Sequence, residues 1–111
     1  EKSHFIRWLK VQALDYVIIE ADGAKHHSLK YPAADEPVIY PLTTDVIIVL
    51  GTWEKGKLCK DVVFRYELMQ NELGMAEDVV VDDSVIDMLC QVYVKKLRDS
   101  GFEGRISTYY R

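Results

Sequence analysis

The chain has 111 residues, 49% of them apolar and 29% charged, which is enough for one hydrophobic core and excludes a disordered, collagen-like or low-complexity polymer. Fourteen basic against 18 acidic residues leave a net charge of -4, so no global field draws the molecule to nucleic acid or to an anionic membrane. The longest apolar run, Val46 to Leu50, falls far short of the roughly 20 residues that span a bilayer.

In chain order, Ser3 is placed to cap a first helix with Ile6, Leu9 and Ala13 on one face, at spacings of three and four. Asp15 is followed by Tyr16-Val17-Ile18-Ile19, an unbroken and largely β-branched run that suits a strand buried on both faces. The next such run is Val46-Ile47-Ile48-Val49-Leu50, stopped by Gly51. Within the stretch between them, the 24 residues Ala21 to Thr44 are interrupted by Pro32, Pro37 and Pro41, a spacing that no ordinary helix tolerates. The expectation is a long irregular loop, docked on the core by Leu29, Tyr31, Val38, Ile39 and Tyr40. Loops of that length tend to carry function.

After the turn-rich stretch Thr52 to Lys60, Asp61 is placed to cap a helix with Val62, Tyr66, Met69 and Leu73 on one face and Gly74 as its stop. A second helix starts after Asp82 or Asp83, sets Ile86, Leu89, Tyr93 and Leu97 on one face, and ends at Gly101. Lys95, Lys96 and Arg98 then complement the negative end of its macrodipole. Ile106 to Tyr110 reads as a further strand. This order predicts a single α/β domain over residues 1–111, with a mainly parallel sheet flanked by helices and strands 16–20, 46–50 and 106–110 parallel within it.

Ligands of such sheets bind beyond the carboxyl ends of the strands, which here are Glu20 to Gly23, Gly51 to Gly56, and Arg111. Val17-Ile18-Ile19-Glu20-Ala21-Asp22-Gly23 puts carboxylates where a buried strand emerges, the position of an acid that holds Mg²⁺ or its bound water in phosphoryl transfer. The same spacing also suits a plain strand-end turn or cap. Lys25, His26, His27 and Lys30 follow closely and offer cations to a phosphate or another anion, or simply a solvated loop. Three histidines, with no cysteine at ligand spacing beside them, do not make a transition-metal site. Thr43-Thr44-Asp45 stands at the amino end of the second strand and reads as a turn and cap. The segment Gly51 to Gly56 allows tight turns or close ligand approach but lacks the phosphate-loop pattern. Cys59 and Cys90 stand 31 positions apart with no C-x-x-C spacing, so both are expected reduced and the protein cytoplasmic. Cys90 reads as a core filler.

Taken together, Glu20-Ala-Asp-Gly-Ala-Lys25, Leu29-Lys30-Tyr-Pro32-Ala, Glu36-Pro-Val-Ile39 and Thr43-Thr-Asp-Val46 resemble the selenium-dependent hydroxylase accessory protein family, YqeC. The likeness continues through Gly56-Lys57 and Val62-Val-Phe-Arg65-Tyr-Glu-Leu68. The resemblance implies a P-loop NTPase-like, Rossmann-like nucleotide-binding fold that helps to mature molybdenum hydroxylases dependent on labile selenium. It implies that Glu20 and Asp22 serve as catalytic acids facing a nucleotide-associated Mg²⁺, with Gly23, Lys25 and Lys30 lining the nucleotide. Because family members open with a glycine-rich segment ending in Gly-Lys-Thr, and this chain begins at Glu1 without it, the expectation is a central or C-terminal part of a longer protein. Mg-ATP or Mg-GTP would then bind, and hydrolysis would occur, only in the intact protein, with no cofactor and no turnover expected of these 111 residues alone. The implied partner is a molybdenum hydroxylase or its cofactor machinery. A non-enzymatic adaptor that binds such a hydroxylase, or a carrier of an anion or cofactor held by Lys25 and Lys30, are the competing expectations.

Overall fold

The computed structural model describes residues 17–18 and 27–111. The expected first helix lies outside the described residues, as does the run 16–20 except for residues 17 and 18. Among the described residues seven elements follow in chain order: β1 (Leu29–Lys30), β2 (Asp45–Leu50), α1 (Cys59–Val62), β3 (Val63–Phe64), α2 (Tyr66–Leu73), α3 (Asp83–Asp99) and β4 (Arg105–Tyr110). The class is α/β, and every strand pair among the described residues is parallel.

β2 and β4 pair over their full length, from Asp45 opposite Arg105 to Leu50 opposite Tyr110. Their β-branched content favours this pleated pairing, and the parallel sense needs a crossover long enough to hold a helix. Among the described residues a second parallel pair joins β1 to β3. The reading of 21–44 as wholly irregular is corrected accordingly, since Leu29 and Lys30 form a short strand within it. Leu29 and Tyr31 are buried as expected, Ile39 is packed against the core, and Val38 is 47% exposed.

Burial on both faces of β2 also fails. Ile48 and Leu50 are buried, whereas Ile47 and Val49 are 64% and 52% exposed. The cause is one-sided cover: the side chains of the core cluster pack on the Ile48 and Leu50 face, and successive strand residues point to opposite faces.

The expected helix from Asp61 to Leu73 is broken in two. Val63 and Phe64 leave the helical path to pair with Leu29 and Lys30, and Arg65 then takes a left-handed conformation, φ 66°, before α2 begins. A Val-Val-Phe run has strand preference, and a neighbouring strand gives it backbone partners that a helix periodicity does not anticipate. Tyr66 and Met69 are buried on α2 as read, while Leu73 is 40% exposed. Gly74 ends the helix at φ 65° and donates its N–H to Gln70 O, a left-handed stop that glycine adopts without a Cβ penalty.

α3 follows its sequence signals closely. Asp82 is the N-cap, its carboxylate accepting from the Val85 N–H at 3.0 Å and from Ser84 Oγ at 2.6 Å. Ile86, Leu89, Tyr93 and Leu97 are all buried, in one cluster with residues of both strand pairs, including Leu29, Val63, Ile48 and Leu50. Replacing Asp82 by Ala orphans the Val85 N–H. A loss of about 1 kcal/mol is expected, measurable by urea denaturation, and it should be mostly recovered in Asp82→Ser.

Both cysteines are free and buried. Cys59 opens α1 instead of lying in a loop, and burial pushes its thiol pKa up, which leaves it a poor nucleophile.

Candidate anion site at the strand carboxyl ends

Glu20, Asp22, Gly23 and Lys25, with His26, lie outside the described residues. Lys30 and His27 are described, and the fold gathers a charged cluster around Lys30. As the last residue of β1, Lys30 points its ammonium across the end of the small parallel pair, and the residue is only 7% exposed. Its Nζ donates to Glu36 Oε2 at 3.0 Å and stands 5.7 Å from the centre of the Phe64 ring. Tyr93 from α3 donates its hydroxyl to the Lys30 carbonyl at 3.1 Å, fixing the end of β1.

Arg65 reaches the same carboxylate. Its left-handed backbone turns the chain out of β3, laying the guanidinium 5.0 Å from the Phe64 ring centre. Nη2 lies 3.4 Å from Glu36 Oε2 and Nε lies 3.4 Å from Oε1, both longer than the 2.7 to 2.9 Å of a good charge-assisted bond. The Nε atom is buried without a hydrogen-bond partner, so the 3.4 Å approach is an ion pair without a directed bond. Glu36 Oε1 also accepts the Ala33 N–H at 3.0 Å, and Lys96 from α3 caps the Ala33 carbonyl at 2.8 Å. Exposed His27 stacks on Phe64, ring centres 5.6 Å apart and planes 22° apart.

Burial by itself would push the Glu36 carboxyl pKa up, but the Ala33 N–H, Lys30 and Arg65 together outweigh it and hold the carboxyl below its ordinary range. Nearby, Tyr31 donates to Glu72 Oε2 at 2.5 Å, and its pKa is pushed up to about 12, first by burial and then by that carboxylate. A shallow cleft of about 400 Å³ opens on this region, walled by Glu36, Pro37, Lys96 and Ser100 among others.

The other pair of carboxyl ends meets the same loop. The Gly51 N–H, just past β2, donates to Ser28 O at 3.1 Å, which seats the residues before β1 against the end of β2. Gly51 is required there, because a Cβ would come within 2.6 Å of Ser28 Cβ and 2.9 Å of the Trp53 ring. Thr52 bonds Arg111 O through its N–H at 2.7 Å and its hydroxyl at 2.5 Å, tying the ends of β2 and β4 together. Trp53 is 58% exposed with the Arg111 guanidinium 5.8 Å from its ring. At the opposite end, Asp45 pairs with Arg105 at 3.4 Å and Arg105 donates its N–H to Thr44 O; the turn expected at Thr43-Thr44-Asp45 falls at Pro41 and Leu42, closed by the Thr43 N–H on Tyr40 O at 3.0 Å, and Asp45 is already the first residue of β2.

Among the described residues no group of three or more His, Cys, Asp or Glu side chains is placed to hold a metal ion, and no helix is long and apolar enough to cross a membrane. Sequence reasoning marked Lys30 but missed Glu36, Phe64 and Arg65. Arg65 reaches Glu36 from 29 residues further along the chain, a contact for which local pattern carries no signal.

A family model described as YqeC protein matches residues 2–67, more than half of the chain. No curated protein and no solved structure matches.

Proposed function

The chain belongs to the YqeC family, and from that premise we propose that it is the site-bearing part of a nucleotide-dependent accessory factor for selenium-dependent molybdenum hydroxylases. The single observation that carries this reading is the Gly51 N–H bond to Ser28 O. It draws the loop that follows Glu20-Ala-Asp-Gly23 back to the carboxyl ends of a parallel strand pair, the edge where α/β folds take their ligands. In this reading Glu20 and Asp22 hold the Mg²⁺ of ATP or GTP, and Gly23, Lys25 and Lys30 line the phosphates. A P-loop NTPase-like frame and the maturation of a hydroxylase client belong to the same proposal. Bound Mg²⁺ would neutralise phosphate charge. In this reading the chain's own contribution is to supply the acids that hold the Mg²⁺ and the cations that meet the phosphates.

The test is made in the full-length protein. Glu20→Gln and Asp22→Asn should each weaken Mg²⁺-nucleotide binding by tenfold or more in calorimetric titrations and remove Mg²⁺-dependent hydrolysis, while the melting temperature changes little. A wild-type protein that binds neither Mg-ATP nor Mg-GTP at millimolar concentration sinks the reading.

A second reading, a non-enzymatic adaptor for the hydroxylase, is favoured by the outward face of the β2 and β4 pair, where Ile47, Val49 and Tyr109 are each more than half exposed. It predicts a stable complex with the hydroxylase that is indifferent to Glu20→Gln and lost in Ile47→Asp.

A further inference from the structure

We propose that Lys30, Arg65 and the Ala33 N–H form a subsite for a tetrahedral oxyanion, and that Glu36 occupies it from within the chain. An ammonium, a guanidinium and a backbone amide converge on one carboxylate, at 3.0 Å from Lys30 Nζ, 3.4 Å from Arg65 and 3.0 Å from the Ala33 nitrogen. This mixture of fixed cations and an oriented amide is how proteins hold phosphate and related anions.

Two features of the cluster go beyond an ordinary structural ion pair. The Arg65 guanidinium is underused: Nε is buried without a hydrogen-bond partner, and both approaches to Glu36 are long. A carboxylate presents two oxygens in one plane. A tetrahedral anion presents four, and so can meet Lys30 and Ala33 while also satisfying Arg65 Nε. Arg65 is also the one residue other than glycine held at positive φ among the described residues, a conformation that costs free energy and collects at functional positions. It fixes the guanidinium against Phe64, and Lys30 stands near the same ring.

Glu36 has a way out. Its side chain is 22% exposed, and it stands on the wall of the cleft of about 400 Å³ that Lys96 and Ser100 also line. Two other carboxylates face that cleft. Asp99 is paired with Lys95 at 2.7 Å, and exposed Asp35, which also lines the cleft, repels an incoming anion. Displaced into the cleft, Glu36 exchanges its bonds for water while the anion takes over the three donors. The occupied state is thus self-inhibited, and affinity is set by how readily Glu36 leaves.

The oxyanion can be free or the phosphate of a nucleotide. The subsite rests on the nucleotide reading only for that choice. The experiment titrates inorganic phosphate into the ¹⁵N-labelled full chain at constant ionic strength made up with NaCl, following the Ala33 amide and the Arg65 Nε–H by NMR. Glu36→Ala should bind phosphate at least tenfold more tightly than wild type, with saturating shifts at both nuclei, and the added Lys30→Met should abolish that gain. Should Glu36→Ala not fold, Glu36→Gln carries the same comparison, because it keeps the side-chain volume and removes the charge. A parallel titration with Mg²⁺-free GTP separates the sources: shifts at the same two nuclei assign the subsite to a nucleotide phosphate, and shifts with phosphate alone assign it to a free oxyanion. Failure of the Glu20 and Asp22 tests leaves the phosphate arm intact. Affinity in Glu36→Ala no higher than in wild type, or a gain that persists with Lys30→Met, overturns the proposal.

Discussion

Leu89→Ala is expected to destabilise the protein by about 2 to 5 kcal/mol, the range for deleting a fully buried leucine side chain. Leu89 is 0% exposed at the centre of α3, in the one cluster that also holds Leu29 and Val63 of the small strand pair and Ile48 and Leu50 of the larger one. The truncation therefore removes transfer energy and leaves a cavity where the two pairs meet, with little freedom for either to collapse inward. Leu73→Ala is the internal control, since Leu73 ends α2 at 40% exposure and its truncation should cost about 1 kcal/mol or less. Urea denaturation with an unchanged m-value reads both. Equal losses at the two positions would mean that α3 is not the element on which the core depends.

α3 was legible because its signals are local. Asp82 supplies the cap, Gly101 the stop, and Ile86, Leu89, Tyr93 and Leu97 a stripe at helical spacing, and all of them act within a few residues of one another. The strands β2 and β4 were legible as elements for the same reason, their β-branched runs being bounded by turn residues. The environment of β2 was not, since Ile47 and Val49 share the chemistry of Ile48 and Leu50, and only the placement of the helices decides which face is covered. Val63 and Phe64 show the opposite failure: the helical stripe from Val62 to Leu73 is real in the sequence, but a two-residue strand 34 positions earlier captures the backbone, from Leu29 opposite Val63 to Lys30 opposite Phe64. So short a strand leaves no periodic trace. In the charged cluster, Lys30 was legible as a chemistry-bearing residue. Its bond to Glu36 depends on the path of a proline-rich loop, and the approach of Arg65 depends on a left-handed turn that no arginine advertises. Of the other marked residues, Glu20, Asp22, Gly23 and Lys25 fall outside the described residues, and their roles stand as proposals.

Glu36→Gln is expected to cost about 2 to 4 kcal/mol at neutral pH, near the lower end of what breaking one side of a buried ion pair costs. The reason is asymmetry. Lys30 is 7% exposed and cannot recover full hydration when the carboxylate is removed, whereas Glu36 itself keeps 22% of its side chain in solvent, which moderates the loss. Lys30→Met added to Glu36→Gln should recover most of it, because an apolar side chain of similar length lies comfortably on Phe64 and leaves no buried charge behind. The pH dependence follows from the direction of the Glu36 shift. Its folded pKa is held below the ordinary value of 4.5, because the Ala33 N–H, Lys30 and Arg65 outweigh the upward push of burial. Its contribution is therefore fully present above about pH 4.5 and is lost as pH falls through the depressed folded value. The gap in unfolding free energy between wild type and Glu36→Gln should stay constant from about pH 5.5 to 8 and narrow below pH 4.5, and taking the difference cancels the titration of other carboxylates such as Asp82, whose pKa is also lowered. A gap that widens below pH 4.5, or a double variant no more stable than Glu36→Gln alone, would show that Glu36 does not hold the loop by its charge.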